Sequence, residues 1–183
     1  MSIYVTYPKE LEKEVMIVMA KYPELQQTFI HFKWGKIAAK SFMLAQPQVA
    51  SLLRHRSKRE YQIIMKERFF THNKMMENGR VPSEVIVGWL AHELGHILDY
   101  KDRSSWNLAW FGVKYYFLTS FLKKAEITAD HNAVKHGFID EIVVSKEFGR
   151  NPKYFPKDYI AKLNRLYPSV KTVKEWAKNL IGG

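Results

Sequence analysis

The sequence predicts an α+β fold, a small mixed sheet packed on a buried helix, and three observations predict it. Alternating apolar runs bounded by Gly, Pro and Asn occupy part of the first eighty residues, the pattern of half-buried strands. The run Ser83 to Tyr100 is apolar nearly all round, the pattern of a helix inside a core. The order is helix, then short sheet, then buried helix, which is the segregated order of α+β proteins. At 183 residues the chain is expected to form one domain, large enough to bury a stable core alone.

The elements follow in chain order. Pro8 to Tyr22 reads as a helix, because Leu11, Val15, Val18 and Met19 recur at helical spacing with Lys and Glu between them. Phe29 to Trp34 alternates and stops at Gly35, as a strand does. Ile37 to Ala45 is a second strand, ended by Pro47, and Gln48 to Arg54 is a turn or short helix. Tyr61 to Phe69 is a third strand. At a sheet edge it would pair with an extended peptide as the upper rim of a cleft; in the interior it would be covered, and sequence does not reveal edges. Asn78-Gly79 marks a turn. Pro82-Ser83-Glu84 starts the buried helix with a proline, a hydroxyl cap and an early acid. Trp106 to Leu122 holds seven aromatics but is interrupted by Asn107, Gly112 and Lys114. It is shorter than the ~20 apolar residues of a membrane span, so it is expected to fold as a helix packed on the core. The alternative is a surface touching a membrane, which aromatic and Lys side chains suit. Val170 to Leu180 reads as a terminal amphipathic helix.

Composition narrows the chemistry. The chain has no cysteine, which excludes disulfides, thiolate metal sites and a Cys nucleophile together. Its net charge of +11 attracts polyanions without specifying one. The densest basic run, Arg54-His55-Arg56-Ser57-Lys58-Arg59, has no nucleic-acid-binding motif around it and reads as a solvated loop before a strand, so nucleic acid is not an expected partner. No secretory pattern is visible at Met1-Ser2-Ile3-Tyr4-Val5. A cytoplasmic location is expected, with peripheral contact to anionic membranes as the alternative.

The buried helix carries His92-Glu93-Leu94-Gly95-His96, which reads H-E-x-x-H. Residues four apart lie one turn above each other on one helix face. Two imidazoles there can bind one zinc and leave positions for a third ligand and a water. Glu93 projects beside the metal, placed to take the water's proton and return it to a leaving amine. Burying two His and a Glu in an apolar helix costs several kcal/mol unless something pairs with them, and a metal is one such partner. Two core histidines bonded to backbone, with Glu93 in an ion pair, is the alternative. Gly95 leaves room for a close neighbour.

Downstream, Ala125-Glu126-Ile127-Thr128-Ala129-Asp130-His131 is a compact acidic cluster with Glu126 and Asp130 on one helix face. Glu126 is the candidate third ligand, and Asp130 the candidate that orients a ligand His through its ring N–H. A surface Glu126 paired with Lys123 or Lys124 is the alternative.

His92-Glu93-x-x-His96 followed by Glu126-x-x-Ala129-Asp130 resembles the gluzincin metallopeptidases, closest to the CaaX-prenyl-protease and heat-shock-peptidase branch. The compact chain is similar to the soluble minigluzincins. The resemblance covers about residues 83–136. It implies a zincin-like fold, one Zn2+ held by His92, His96 and Glu126, Glu93 as general base and Asp130 behind the ligands. The division it implies is an upper part at 1–81, metal-site helices at 82–148 and a C-terminal segment at 149–183; a C-terminal segment blocks the cleft in some minigluzincins, and such a cover is here the alternative to an open cleft. Two features depart from the branch: its membrane members carry clear transmembrane helices where this chain carries at most the 106–122 run, and no His follows His136. Arg150, Tyr154 and Tyr159 are the candidates for stabilising an oxyanion, and no motif selects among them.

The expected function is a zinc endopeptidase acting on a peptide or protein substrate. The alternatives are a phage- or mobile-element-type metallopeptidase that cleaves a specific repressor, whose usual Ala-Asn stands here as Ala129-Asp130, and a basic nucleic-acid or membrane-surface binding module with a non-catalytic metal site.

Overall fold

A computed structural model of the chain describes residues 4–37, 41–70, 75–77, 81–108, 110 and 118–181. Its architecture is mixed α and β. The first part contains β1 (Val5–Thr6), α1 (Glu12–Ala20), β2 (Phe29–Trp34), β3 (Met43–Pro47), β4 (Glu60–Met65), β5 (Arg68–Phe70) and β6 (Met75–Glu77). The helices that follow are α2 (Ser83–Lys101), α3 (Thr119–Lys135), α4 (Ile139–Gly149), α5 (Lys157–Leu166) and α6 (Val170–Ile181).

The main sheet has the order β1-β2-β4-β3. β1 and β4 both run parallel to β2, and β3 runs antiparallel to β4. The period-2 pattern of the sequence is realised here: Ile30 and Phe32 of β2, and Tyr61, Ile63 and Met65 of β4, are buried while their neighbours are not.

Two strand expectations are corrected. Tyr61–Phe69 is not one strand: it breaks at Lys66-Glu67, where β4 leaves the main sheet and β5 begins a separate ribbon with β6. Of the two readings of that strand, edge or interior, the interior one holds, because β4 lies between β2 and β3. The edge beyond β4 is β3, which runs through Pro47 instead of stopping at Ala45; residues 38–40 of the expected strand lie outside the described residues. The Lys66 N–H donates to the Phe42 carbonyl, and the Gln48 N–H to the Glu60 carbonyl. Even-numbered backbone groups of β3 therefore face β4, and Met43, Ala45 and Pro47 turn theirs outward. Proline is tolerated at such a position because the outer side needs no ladder N–H.

α2 is the spine. Val85, Leu90, Ala91, Leu94 and Ile97 are buried on it, and the helix is covered on all sides by α1, β3, α3 and α4. Two glycines permit that crowding: a Cβ on Gly95 would collide with the Ala129 carbonyl oxygen of α3, and one on Gly88 with the Glu141 carbonyl oxygen of α4. Facing Gly95, α3 presents the small buried stripe Ala125, Ala129 and Ala133. The Asn132 side-chain amide donates to the Gly95 carbonyl at 3.0 Å. Gly95→Ala is expected to destabilise the fold by about 1–3 kcal/mol, the usual cost of overpacking, and to lower the affinity for metal by shifting α3. Chemical denaturation checks the first effect and metal competition the second.

The Trp106–Leu122 run is not one continuous helix over the described residues. Residues 105–108 are helical, 111–117 lie outside the described residues, and Leu118 has extended backbone angles immediately before α3. Leu108 is buried, whereas Trp106 and Trp110 are exposed. No described helix is long and apolar enough to cross a membrane. The basic run is not uniformly solvated either: Arg59 is buried and donates to the Arg103 carbonyl and the Ser105 hydroxyl.

Candidate metal centre

α2 brings His92 and His96 to one face, and α3 lays Glu126 across them. Glu126 Oε2 stands 3.0 Å from His92 Nε2 and 3.6 Å from His96 Nε2. All three ligand atoms lie within 4.8 Å of one another, so the group can hold a metal ion. The separations suit one: four ligands about 2.1 Å from a tetrahedral ion stand ~3.4 Å apart. Glu126 is 1% exposed, which rules out a solvated partner for Lys123 or Lys124.

The charges around this triad are arranged for a cation. Burial pushes the His92 imidazole down, but the Asp130 and Glu126 carboxylates outweigh it and hold its pKa at about 10. Burial pushes the Glu126 carboxyl up, and hydrogen bonds from His92 and His96 overcome that and lower it. The same carboxylates that favour a proton on His92 favour a metal cation, so the two would compete for the imidazole.

Behind His92 lies a second layer. Asp130 Oδ1 is 2.9 Å from His92 Nδ1, which leaves Nε2 directed at Glu126 and the metal position. Asp130 Oδ2 in turn accepts from Lys146 Nζ of α4 at 2.5 Å. Asp130 and Lys146 are 1% and 7% exposed, so this is a buried ion pair. Burial raises the Asp130 carboxyl, while Lys146 and His92 more than compensate and keep it low. Lys146 was not legible in the sequence: it stands in an ordinary helical run twenty residues past Glu126, and only the packing of α4 on α2 aims it inward.

Glu93 is buried on the same helix, one residue beyond the first His. Its carboxylate accepts the Ala45 N–H at 2.6 Å, an outward-facing backbone group of edge strand β3. Burial raises the Glu93 pKa, opposed by His92 and His96, which makes it a stronger base than an ordinary carboxylate.

Both Glu93 and His92 line a cavity of about 90 Å³ whose other walls include Phe42, Met43, Trp89, Tyr159, Leu163 and Tyr167. The C-terminal segment thus supplies one wall. Arg150 fastens it: its guanidinium donates to Asn164 Oδ1 at 2.8 Å and to the Pro168 carbonyl at 3.2 Å. Of the oxyanion candidates, Arg150 and Tyr159 line the cavity and Tyr154 does not; Tyr154 stacks on Phe148 instead. The aromatic ring nearest His92 from this segment is Tyr167, with centroids 6.1 Å apart. Burial pushes its phenol well above the ordinary range. Sequence reasoning passed over Tyr167 because Tyr-Pro after a helix reads only as a stop. His131 packs edge-on against Trp176, and His136 bonds the Asn132 carbonyl and Glu24, so neither joins the centre.

The chain matches no protein-family model, and comparison with curated proteins and with solved structures finds no match either.

Proposed function

We propose that the protein is a zinc endopeptidase with a gluzincin-type, zincin-like site. The observation that supports it most is the meeting of His92, His96 and Glu126 around one point, with Glu93 beside them and Asp130 behind. The residues fit zinc: two imidazole nitrogens and one carboxylate oxygen leave a further position open, the arrangement of catalytic rather than structural sites. Zinc bound there supplies Lewis-acid polarisation of a peptide carbonyl and activation of water at neutral pH.

The chain's own residues do the rest. Glu93 accepts a proton from the attacking water and delivers it to the departing amine. The Ala45 N–H holds one carboxylate oxygen and so fixes which oxygen faces the substrate. Asp130 holds the His92 ring by Nδ1. The substrate peptide lies extended along the outer edge of β3, where the Met43 N–H and the Ala45 carbonyl turn away from β4. A cavity of about 90 Å³ is small beside the roughly 300–1,000 Å³ of ordinary ligand pockets. In this reading the wall carrying Tyr159, Leu163 and Tyr167 covers the cleft and moves when a peptide enters.

The test is a metal analysis of purified protein, paired with cleavage of an unfolded casein-like substrate. One zinc per chain is expected, with His92→Ala or Glu126→Ala abolishing stoichiometric binding. Full zinc in Glu126→Ala together with its loss in Asp130→Ala or His131→Ala would overturn the third-ligand assignment. Stoichiometric zinc without cleavage by the wild type or by Tyr167→Ser, which thins the wall, would favour the binding-module alternative.

A further inference from the structure

We propose that the face formed by Val49, Leu53, Trp106 and Trp110 docks the protein on an anionic lipid bilayer. The inference is independent of the metal centre.

The first observation is the orientation of the aromatic segment. Leu108 is buried, while Trp106 is 88% and Trp110 61% exposed. Both residues occupy helical positions, four apart in the chain. Exposing two tryptophans while burying the leucine between them forfeits apolar burial that a purely aqueous protein would use.

The second observation is that another apolar segment adjoins it. The 3-10 turn Val49–Leu53 exposes Val49 by 81% and Leu53 by 94%. The Ser105 hydroxyl donates to the Leu52 carbonyl at 2.6 Å, and buried Arg59 donates to both the Arg103 carbonyl and the Ser105 hydroxyl. These bonds hold the two segments against each other, each contributing exposed apolar side chains next to the junction. Scattered single exposed residues need no explanation, but adjoining ones mark an interaction surface.

Charge selects the occupant. Leu53 is followed directly by Arg54, Arg56 and Lys58, all exposed. Arg54 pairs with Glu60, and Arg103 with Asp99, which leaves Arg56 and Lys58 as the cationic rim in a chain of net charge +11. Tryptophan and aliphatic side chains inserted at the interface, with Arg and Lys at headgroup level, is the chemistry of peripheral attachment to anionic lipid. With no described helix able to span a bilayer, attachment at the surface is the mode this face supports.

The full chain should be sedimented with vesicles of phosphatidylcholine alone and with vesicles that also contain phosphatidylserine, at low and high salt. Binding to the anionic vesicles is expected, weakened about tenfold or more on neutral ones or at high salt. Trp106→Ser with Trp110→Ser is expected to weaken it about tenfold, as is Leu53→Ser, a single exposed change that guards against misfolding of the double variant. Arg56→Ser with Lys58→Ser should remove most of the salt dependence. No binding to anionic vesicles, or binding unchanged in both apolar variants, would overturn the proposal. Concentration-dependent self-association abolished by the tryptophan substitutions, without vesicle binding, would assign the face to a second copy of the chain instead.

Discussion

Glu93→Gln is expected to keep zinc and fold and to lose hydrolysis by about 10²–10⁴-fold, the usual contribution of a general base. The amide is close to the carboxylate in shape, and its carbonyl oxygen can still accept the Ala45 N–H that Glu93 Oε2 accepts at 2.6 Å. What it cannot do is take a proton from water. Glu93 is buried beside His92 on α2 without being one of the three clustered ligand residues, so its replacement leaves the donor set intact. Metal content, melting temperature and turnover should therefore separate: the first two near wild type, the third nearly gone. Comparable turnover in the variant would remove Glu93 from the mechanism, and loss of zinc would make it a ligand instead of a base.

Lys146→Met is expected to be the most destabilising single change at the site. It leaves Asp130 buried without its cation, and breaking one side of a buried ion pair costs about 3–5 kcal/mol. In a chain of this size that corresponds to roughly 10 °C in melting temperature. The effect should extend to the metal. Asp130 keeps its charge partly through Lys146 and holds His92 Nδ1 at 2.9 Å. Without Lys146 the carboxyl binds a proton more readily and orients the ring less firmly. Loss of such an outer partner typically lowers metal affinity about 10–100-fold. Replacing both partners, Lys146→Met with Asp130→Leu, separates the two roles. Stability should recover in part, since an apolar pair avoids the burial cost of ions but leaves His92 Nδ1 without its acceptor, while metal affinity should not recover. Calorimetry of metal-free protein and chelator competition measure each part. Unchanged stability and affinity in Lys146→Met would show that the 2.5 Å contact with Asp130 carries no weight.

The segments that the sequence placed well are those whose signal is local. β2 was legible as Phe29–Trp34 because alternation and Gly35 both act within one strand. α2 was legible because a nearly all-apolar run longer than a strand has to be a buried helix, and it spans Ser83–Lys101. The pairing of His92 and His96 was legible because helical spacing puts two imidazoles on one face, whereas Glu126, one of two readings in the sequence, reaches them only through the docking of α3 on α2.

What misled was the register of non-local pairings. Tyr61–Phe69 reads as one apolar strand, yet its two halves belong to different sheets, since strand partners are chosen by distant segments. Position within the sheet is likewise invisible along the chain; it put β4 in the interior and β3 at the edge, and brought the Ala45 N–H onto Glu93.

By itself the sequence determined the mixed α and β class, the buried α2 and the two imidazoles on its one face, because hydrophobic periodicity and helical geometry operate over a few residues. Only the tertiary structure decided that Lys146 backs Asp130, that Tyr167 stands over His92, and that Leu53 and Trp106 lie on adjoining exposed segments. Each of those joins residues separated by sixteen to seventy-five positions. Such contacts are set by how whole elements dock on one another; for Lys146 and Asp130 it is two glycines of α2 that let the backbones of α3 and α4 approach closely enough to bring the side chains together.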